Sequence, residues 1–523
     1  MFEKFRELSK NLAIYGLGDV AISVINLLLL PLYVRYLSPA DYGALGLLGG
    51  VEIAAKIFFR WGLDGSFMRF FYECEDSAAR QRLASTIFFF LLAINGILLA
   101  GSLTVAPVLA SALFDGSPHL RSLQLTLLNT FAIGFTFFPF HMMRMEKRAA
   151  QFSALTLMRS VGTLVLRIVL VVGFGFGVLG VVLADTIVTA LLMLVLIRWF
   201  RALIKPVFSR QMLREALAFG LPRVPHAAAQ QVIAVGDKFI LTAFRPLSEV
   251  GVYSIGVSFG LTQKLFLSAF EYAWAPFYYE NARDPAARRL FSSMTTYGLT
   301  ALALMTAGLS AIGGDLLAAA TGNQAALYVP AADVVTWTSV GVFFQGAYLL
   351  TSIGLNITKN TKYYPVATMA AAASNVGLNF ILVPRYGMMG AAWANAVAYG
   401  LQALLAFRFS QRFFPVKYET GRILMVSSAA LIACLCARAL PSVPPIAGVL
   451  MRGTTVVVVY GGLLALAGFF KPEELRVLAR IRRREPQPRT VPPPEVTELG
   501  GEIVAAEILA DEPDTAPHSG GRR

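Results

Sequence analysis

Residues 177–185 read GVLGVVLAD and residues 387–395 read GMMGAAWAN. Each is Gly-x-x-Gly, then small and apolar residues, then Ala with a carboxylate or its amide. The two phrases lie 210 residues apart, and the same interval recurs elsewhere. RYLSPADYG (35–43) faces RPLSEVGVYSIG (245–256), with Leu37-Ser38 and Leu247-Ser248 again 210 apart. FFYE (70–73) faces FYYE (277–280) at an interval of 207. A single Gly/Ala phrase recurs by chance in apolar sequence; three in register point to an internal repeat.

The composition says what is repeated. Of 523 residues, 56% are hydrophobic and 15% charged, and the mean hydropathy is +0.62. Soluble chains carry about 25% charged residues, so these values belong to a chain immersed in lipid. Apolar runs fall near 12–36, 42–62, 84–108, 122–142, 151–173, 177–199, 217–241, 251–273, 291–313, 333–355, 364–384, 388–408, 422–440 and 446–469. Each is close to the roughly 20 residues that a helix needs to cross about 30 Å of hydrocarbon. Backbone in lipid must satisfy its own hydrogen bonds, and continuous runs select helices over a barrel. The prediction is an all-α polytopic membrane protein of about fourteen spans, numbered here in chain order.

Basic residues then alternate by loop. The N-terminal arm carries Lys4, Arg6 and Lys10. The even-numbered loops carry Arg80 and Arg82, Arg144 with Lys147 and Arg148, Arg201 with Lys205, Arg210 and Arg214, then Arg283, Arg288 and Arg289, Lys359 and Lys362, and Arg412 with Lys417. By the positive-inside rule both termini are expected in the cytoplasm. The net charge of +14 is mainly this topology signal. The arm MFEKFRELSKN is expected to be an interfacial helix leading into span one, not a cleaved signal, because the apolar run after it is too long for one. Three cysteines, Cys74, Cys434 and Cys436, suggest neither a disulfide framework nor a metal site.

Spans one to six thus correspond to spans seven to twelve. Six is even, so both halves keep one orientation, which makes a parallel repeat about an axis along the membrane normal. The expected organisation is an N-terminal six-helix bundle (1–205), a C-terminal six-helix bundle (206–412), two further spans (413–470) and a cytoplasmic basic helix with a disordered tail (471–523). In the repeated phrases Ser38 is suited to cap span two with Pro39 in its first turn. The small residues starting at Gly180 and Gly390 allow close helix approach.

Ionisable residues inside spans are costly and therefore candidates for function. Glu52, Lys56 and Arg60 recur every four residues in span two, followed by Asp64; Glu52 and Lys56 have the favourable order for a helical ion pair. Arg159 and Arg167 share a face of span five. Arg223 opens span seven, flanked by Pro222 and Pro225, which can bend the span or merely sit in its first turn. Asp237 and Lys238 close it. Lys264 and Glu271 lie in span eight, Asp19 in span one and Asp185 in span six. Cations outnumber carboxylates. Lys56, Arg60, Arg159, Arg167, Arg223, Lys238 and Lys264 are candidates to line a wet cavity that binds an anion. Mutual structural pairing is the alternative, and for Arg60, Lys238 and Glu271 it is as good an account. Asp19, Asp185, Asp237 and Glu52 are candidate ion-coupling sites. No P-loop, HExxH or nucleophile elbow is present, so neither an enzyme nor a cofactor is indicated.

At this point the chain resembles a family. LSPADYG, FGLPRVPH…GDKFIL (219–241), EYAWAPFYYE (271–280) and TKYYPV…YGMMGAAWANAVAY (361–399), in that order, are similar to the Wzx-type polysaccharide/oligosaccharide flippases of the multidrug/oligosaccharidyl-lipid/polysaccharide exporter superfamily. Lys238 departs from the Arg more usual after that Asp, with the charge kept. The resemblance covers about residues 8–470. It implies two six-helix bundles around a central cavity, two added helices, and a bacterial inner-membrane protein that moves polyprenyl-diphosphate-linked oligosaccharide of O-antigen, capsule or exopolysaccharide type. Its partners would be membrane lipid and the polymerases and glycosyltransferases of glycan assembly, with no nucleic acid. An ion-coupled multidrug exporter on the same fold would be expected to have an acidic cavity. A membrane glycosyltransferase would be expected to have a large external loop. A non-transporting scaffold of a glycan-assembly complex makes neither demand.

Overall fold

The computed structural model describes residues 34–471 except 75, 115–118, 147, 283 and 285, and omits the side chains of 149, 272, 273, 275, 276 and 323. Span one with Asp19, and the tail beyond 471 with its basic helix, lie outside the described residues. Every regular element among the described residues is a helix, and the described residues up to Phe469 belong to one compact unit.

Eleven helical segments are long and apolar enough to cross a membrane. One of them, Tyr363–Phe413, is two spans joined at Gly387, where φ is 55° and ψ −134°. Val224–Phe244 is span seven, which holds Asp237 and Lys238. With span one outside the described residues, these segments account for thirteen of the fourteen expected. The protein is a multi-pass membrane protein.

Several boundaries differ from those that hydropathy sets, each for a local reason. Span two (Pro39–Glu73) is interrupted at Trp61 and Gly62, which take φ of 52° and 68°. A side chain at 62 would sit 2.4 Å from the Gly220 carbonyl oxygen, so only glycine fits. Asn95 seals the break: its Nδ2 donates to the Phe59 carbonyl at 2.7 Å and its Oδ1 accepts from Trp61 Nε1 at 3.2 Å. Span seven begins at Val224, not near 217. Residues Arg210–Gly220 form a separate amphipathic helix, joined to the span by the short turn Leu221–Arg223. Pro222 and Pro225 occupy first-turn positions. They start helical segments; they do not bend one.

Ser38 caps span two as its sequence predicts. The Asp41 amide donates to Ser38 Oγ at 3.1 Å, and the Ser38 amide donates back to Asp41 Oδ2 at 3.1 Å, a reciprocal capping box. The paired Gly-x-x-Gly phrases also resolve. Gly177 and Gly387 both adopt left-handed φ, 52° and 55°, a region that side chains disfavour. Three residues on, a Cβ at Gly180 would meet the Leu170 backbone at 3.2 Å, and one at Gly390 the Leu382 carbonyl oxygen at 2.5 Å. In each bundle the first glycine turns the chain into the sixth helix of its half. The second lets that helix press against the end of the fifth.

The packing repeats as well. Span four (Leu120–Met145) packs on spans two, three (Ser77–Leu113) and six (Gly177–Leu203), and span five (Ala150–Gly173) packs on six. Span ten (Ala325–Ile357) likewise packs on spans eight (Leu247–Glu271), nine (Ala287–Thr321) and twelve. The bundles meet where span two crosses span eight. There Gly43 would place a Cβ 2.1 Å from the Leu247 carbonyl oxygen, while Gly251 would place one on the Pro39 carbonyl oxygen. Gly43 and Gly251 are 208 apart, as are Pro39 and Leu247. Residue i touches j′ while j touches i′, the mark of a two-fold relation. Spans thirteen (Thr420–Arg438) and fourteen (Pro445–Leu466) pack on span nine. Arg452 pairs with Asp315, and Arg438 donates to the Ser310 carbonyl at 3.0 Å and to Thr336 Oγ1 at 2.7 Å.

Candidate functional site

The polar stripe of span two faces water-sized space on both sides. On one side a cavity of about 660 Å³ lies between the bundles, lined by Lys56, Arg60, Asp64, His141, Arg223 and Gln231 among others. On the other a cavity of about 570 Å³ lies inside the N-terminal bundle, lined by Glu52, Arg60, His141, Arg159, Arg167 and Asp185 among others. Arg60, Asp64 and His141 border both, so the two spaces share a wall.

The cations in these walls differ in how far they are already neutralised. Lys56 pairs with Glu52 at 2.5 Å, the i,i+4 pair that the sequence suggests. Arg60 reaches Asp64 at 3.4 Å. Arg167 is held by Asp185 through two parallel bonds, Nε to Oδ1 at 2.8 Å and Nη2 to Oδ2 at 2.7 Å, the strong fork geometry. Arg223 lays its guanidinium over the Phe219 ring, 4.0 Å from the centroid. Arg159 lines the N-terminal cavity with neither a hydrogen bond nor an ion pair among the described residues. Thr156, Ser160 and Thr163 sit within a turn of it on the same wall.

Lys238 stands apart from this group. It lines a smaller space of about 260 Å³ near the crossing of spans two and eight, with Glu52, Asn129, Asp185 and Ser254. Asp237 is buried and fully engaged: Tyr253 Oη and Asn395 Nδ2 donate to its Oδ2, the latter at 3.1 Å, and the Lys238 amide donates to its Oδ1 at 2.8 Å. Lys264 begins the second half of span eight and makes no ion pair among the described residues. Under the 208-residue relation it is the counterpart of Lys56. The carboxylate that neutralises Lys56 has Gly260 as its counterpart.

The final residues of the opening phrases thus do matching work. Asp185 anchors Arg167 in one bundle, and Asn395 anchors Asp237 in the other. Their shared place in the repeat was visible; their partners were not, because a bundle's cross-helix contacts are not written in local spacing. Sequence reasoning also missed His141, placed by helix geometry between the two cavities. It missed Asn129 too, whose buried Oδ1 has no donor among the described residues. Each is a lone polar residue in an apolar run, and that is the whole of its signal.

The Arg167–Asp185 pair sets up an expected result. Arg167→Ala should lower stability by roughly 1–3 kcal/mol, because it leaves a half-buried carboxylate without its two charge-assisted bonds. The double substitution Arg167→Ala with Asp185→Ala should recover most of that loss. Thermal melting in detergent, followed by size-exclusion chromatography, would check both.

Residues 8–280 match the family described as "Polysaccharide biosynthesis protein". No curated protein sequence matches the chain. Among solved structures it superposes on "Lipid II flippase MurJ, inward closed conformation" with a TM-score of 0.70 at 16% identity, over 90% of this chain and 100% of that one. It superposes on an inward-facing multidrug resistance MATE family transporter of the MOP superfamily with a TM-score of 0.58 at 15% identity, over 79% and 99%. A MOP superfamily transporter from Pyrococcus furiosus, described as having a binding pocket of reverse polarity, follows at 0.50 and 14%, over 80% and 96%. At these identities the likeness is one of fold: two helical bundles in the arrangement of that superfamily, with two helices added.

Proposed function

The chain belongs to the polysaccharide biosynthesis protein family, and from that premise we propose that it is a flippase for polyprenyl-diphosphate-linked oligosaccharide. The bundles, 1–205 and 206–412, rock against each other and expose the space between them to each leaflet in turn, parting at the crossing of spans two and eight in one of the two states. The protein sits in the bacterial inner membrane with both termini cytoplasmic, as the basic loops indicate. It performs no covalent chemistry.

One observation carries this reading. The walls of the two adjoining cavities present Lys56, Arg60 and Arg223 on one side and Arg60 and Arg159 on the other, and Arg159 makes no ion pair among the described residues. A diphosphate cannot enter hydrocarbon unpaired, and guanidinium binds its oxygens two at a time. A cation exporter would need the opposite sign. In this mechanism Arg159 and Arg223 hold the diphosphate. Arg167 is the structural member of the group, and the glycan stays in the wet space. Candidates for coupling to an ion gradient are Asp19, Asp185, Asp237 and Glu52, of which the last three would first have to release the partners described above.

Deleting the gene in its own host, then restoring it on a plasmid, tests the reading. Loss of surface glycan with build-up of lipid-linked precursor on the cytoplasmic leaflet, reversed by the plasmid, is the expected outcome. Glycan display that persists without the gene, in a host holding no second such gene, would refute it.

A further inference from the structure

The two-fold relation carries the cavity-lining face of span two onto span eight. Lys56 and Arg60 line the space between the bundles; their counterparts, 208 residues on, are Lys264 and Ser268. Continuing along that face from Lys264, seven residues bring the chain to Glu271, which is exposed and makes no ion pair among the described residues. Glu271 stands close enough to Tyr348 of span ten to act on it electrostatically. What surrounds it is different in kind from the arginines of the N-terminal bundle.

Here the side chains are aromatic and neutral. Tyr348 of span ten and Tyr364 of span eleven are half-buried, with ring centroids 6.0 Å apart at 72°. Tyr364 Oη donates to the Ser352 carbonyl at 3.1 Å, which fixes that ring. Asn356 Nδ2 donates to Tyr278 Oη at 3.0 Å. Three residues before Tyr348, and so on its face of the helix, Gln345 holds a buried Nε2 that has no acceptor among the described residues.

Fixed aromatic faces beside carboxamides and a carboxylate match one ligand chemistry well. A pyranose ring has an apolar C–H face that lies on an aromatic ring. It also has an edge of hydroxyls that amides and carboxylates bond as donors and acceptors. We infer that the C-terminal bundle carries a sugar-binding subsite built on Tyr348 and Tyr364, with Gln345, Asn356 and Glu271 as its polar rim. This rests on the flippase reading and divides the ligand between the bundles: diphosphate to the arginines of the first, sugar to the tyrosines of the second.

The test measures binding to the full chain in lipid nanodiscs with two probes, undecaprenyl diphosphate and undecaprenyl-diphosphate-N-acetylglucosamine. The native chain should bind the sugar-bearing probe roughly three- to tenfold more tightly, the range that an aromatic contact supplies. Tyr348→Ala and Tyr364→Ala should each abolish that gain while leaving affinity for undecaprenyl diphosphate within about twofold. Tyr348→Phe, which keeps the ring, should retain the gain. A merely structural role for these tyrosines would weaken both probes together. The inference is overturned if the sugar adds no affinity in the native chain, or if the alanine variants keep the gain. Failure of undecaprenyl diphosphate itself to bind would instead sink the diphosphate reading, and the subsite with it. Variants are scored only when they elute as the native chain does, and the Phe variant supplies the answer if an Ala variant does not fold.

Discussion

Replacing Gly43 with alanine is expected to deplete the conformation described here. The added Cβ would sit 2.1 Å from the Leu247 carbonyl oxygen, and neither helix can yield without moving its backbone. Overpacking of a tight interface costs about 1–3 kcal/mol, which shifts a two-state balance by roughly 5- to 150-fold. The shift favours whichever state separates spans two and eight. Gly251→Ala should act the same way, because the contact is reciprocal. Gly49→Ala should not, since nothing lies within 4 Å of its Cβ position. Ser254 offers the readout. It is buried, and its Oγ would lie 2.5 Å from a Cβ at Gly46. With the three native cysteines replaced, the S254C thiol should react with a water-soluble maleimide far faster in the Gly43→Ala background. An unchanged rate would mean that this crossing does not open.

The second large effect separates two arginines on one face of one helix. Arg159→Ala should reduce transport by about 10- to 150-fold, corresponding to loss of roughly 1.5–3 kcal/mol of charge-assisted bonding to the diphosphate. Protein level and melting temperature should stay near native, because Arg159 makes neither a hydrogen bond nor an ion pair among the described residues. Arg159→Lys should give intermediate activity, since a point charge replaces a fork. Arg167→Ala should show the reverse pattern, with low protein level as its primary defect. Transport measured per folded molecule distinguishes them. Equal loss of stability in both would show that Arg159 is structural after all.

These contrasts mark how far the sequence could be taken. Periodicity and hydropathy give the spans because a helix must bury its own backbone bonds in lipid, and that demand is local. The repeat is legible because turning the chain at Gly177 and Gly387 needs the same backbone conformation twice. Ser38 and Asp41 declare a cap through spacing alone, as Glu52 and Lys56 declare a pair. The start of span seven was blurred because the amphipathic helix Arg210–Gly220 carries enough apolar residues to extend the hydropathic run. The division of labour between Arg159 and Arg167 was hidden altogether. They share a face and a residue type, and only the position of Asp185 on another helix tells them apart. Tyr348 and Tyr364 carry no signal in the sequence that sets them apart from its other tyrosines; their contact across spans ten and eleven appears only in the fold.

The central claim is that the chain moves a diphosphate-linked glycan across a bilayer, and one measurement addresses it most directly. Purified protein is reconstituted into vesicles whose outer and inner leaflets carry a fluorescent undecaprenyl-diphosphate-linked sugar, and a membrane-impermeant reductant is added outside. Native protein should let the reductant quench nearly all the fluorescence as inner-leaflet lipid flips outward. Vesicles with the Arg159→Ala, Arg223→Ala double variant should stop near half. Quenching that halts near half with native protein, or proceeds equally fast with the double variant, would contradict the account.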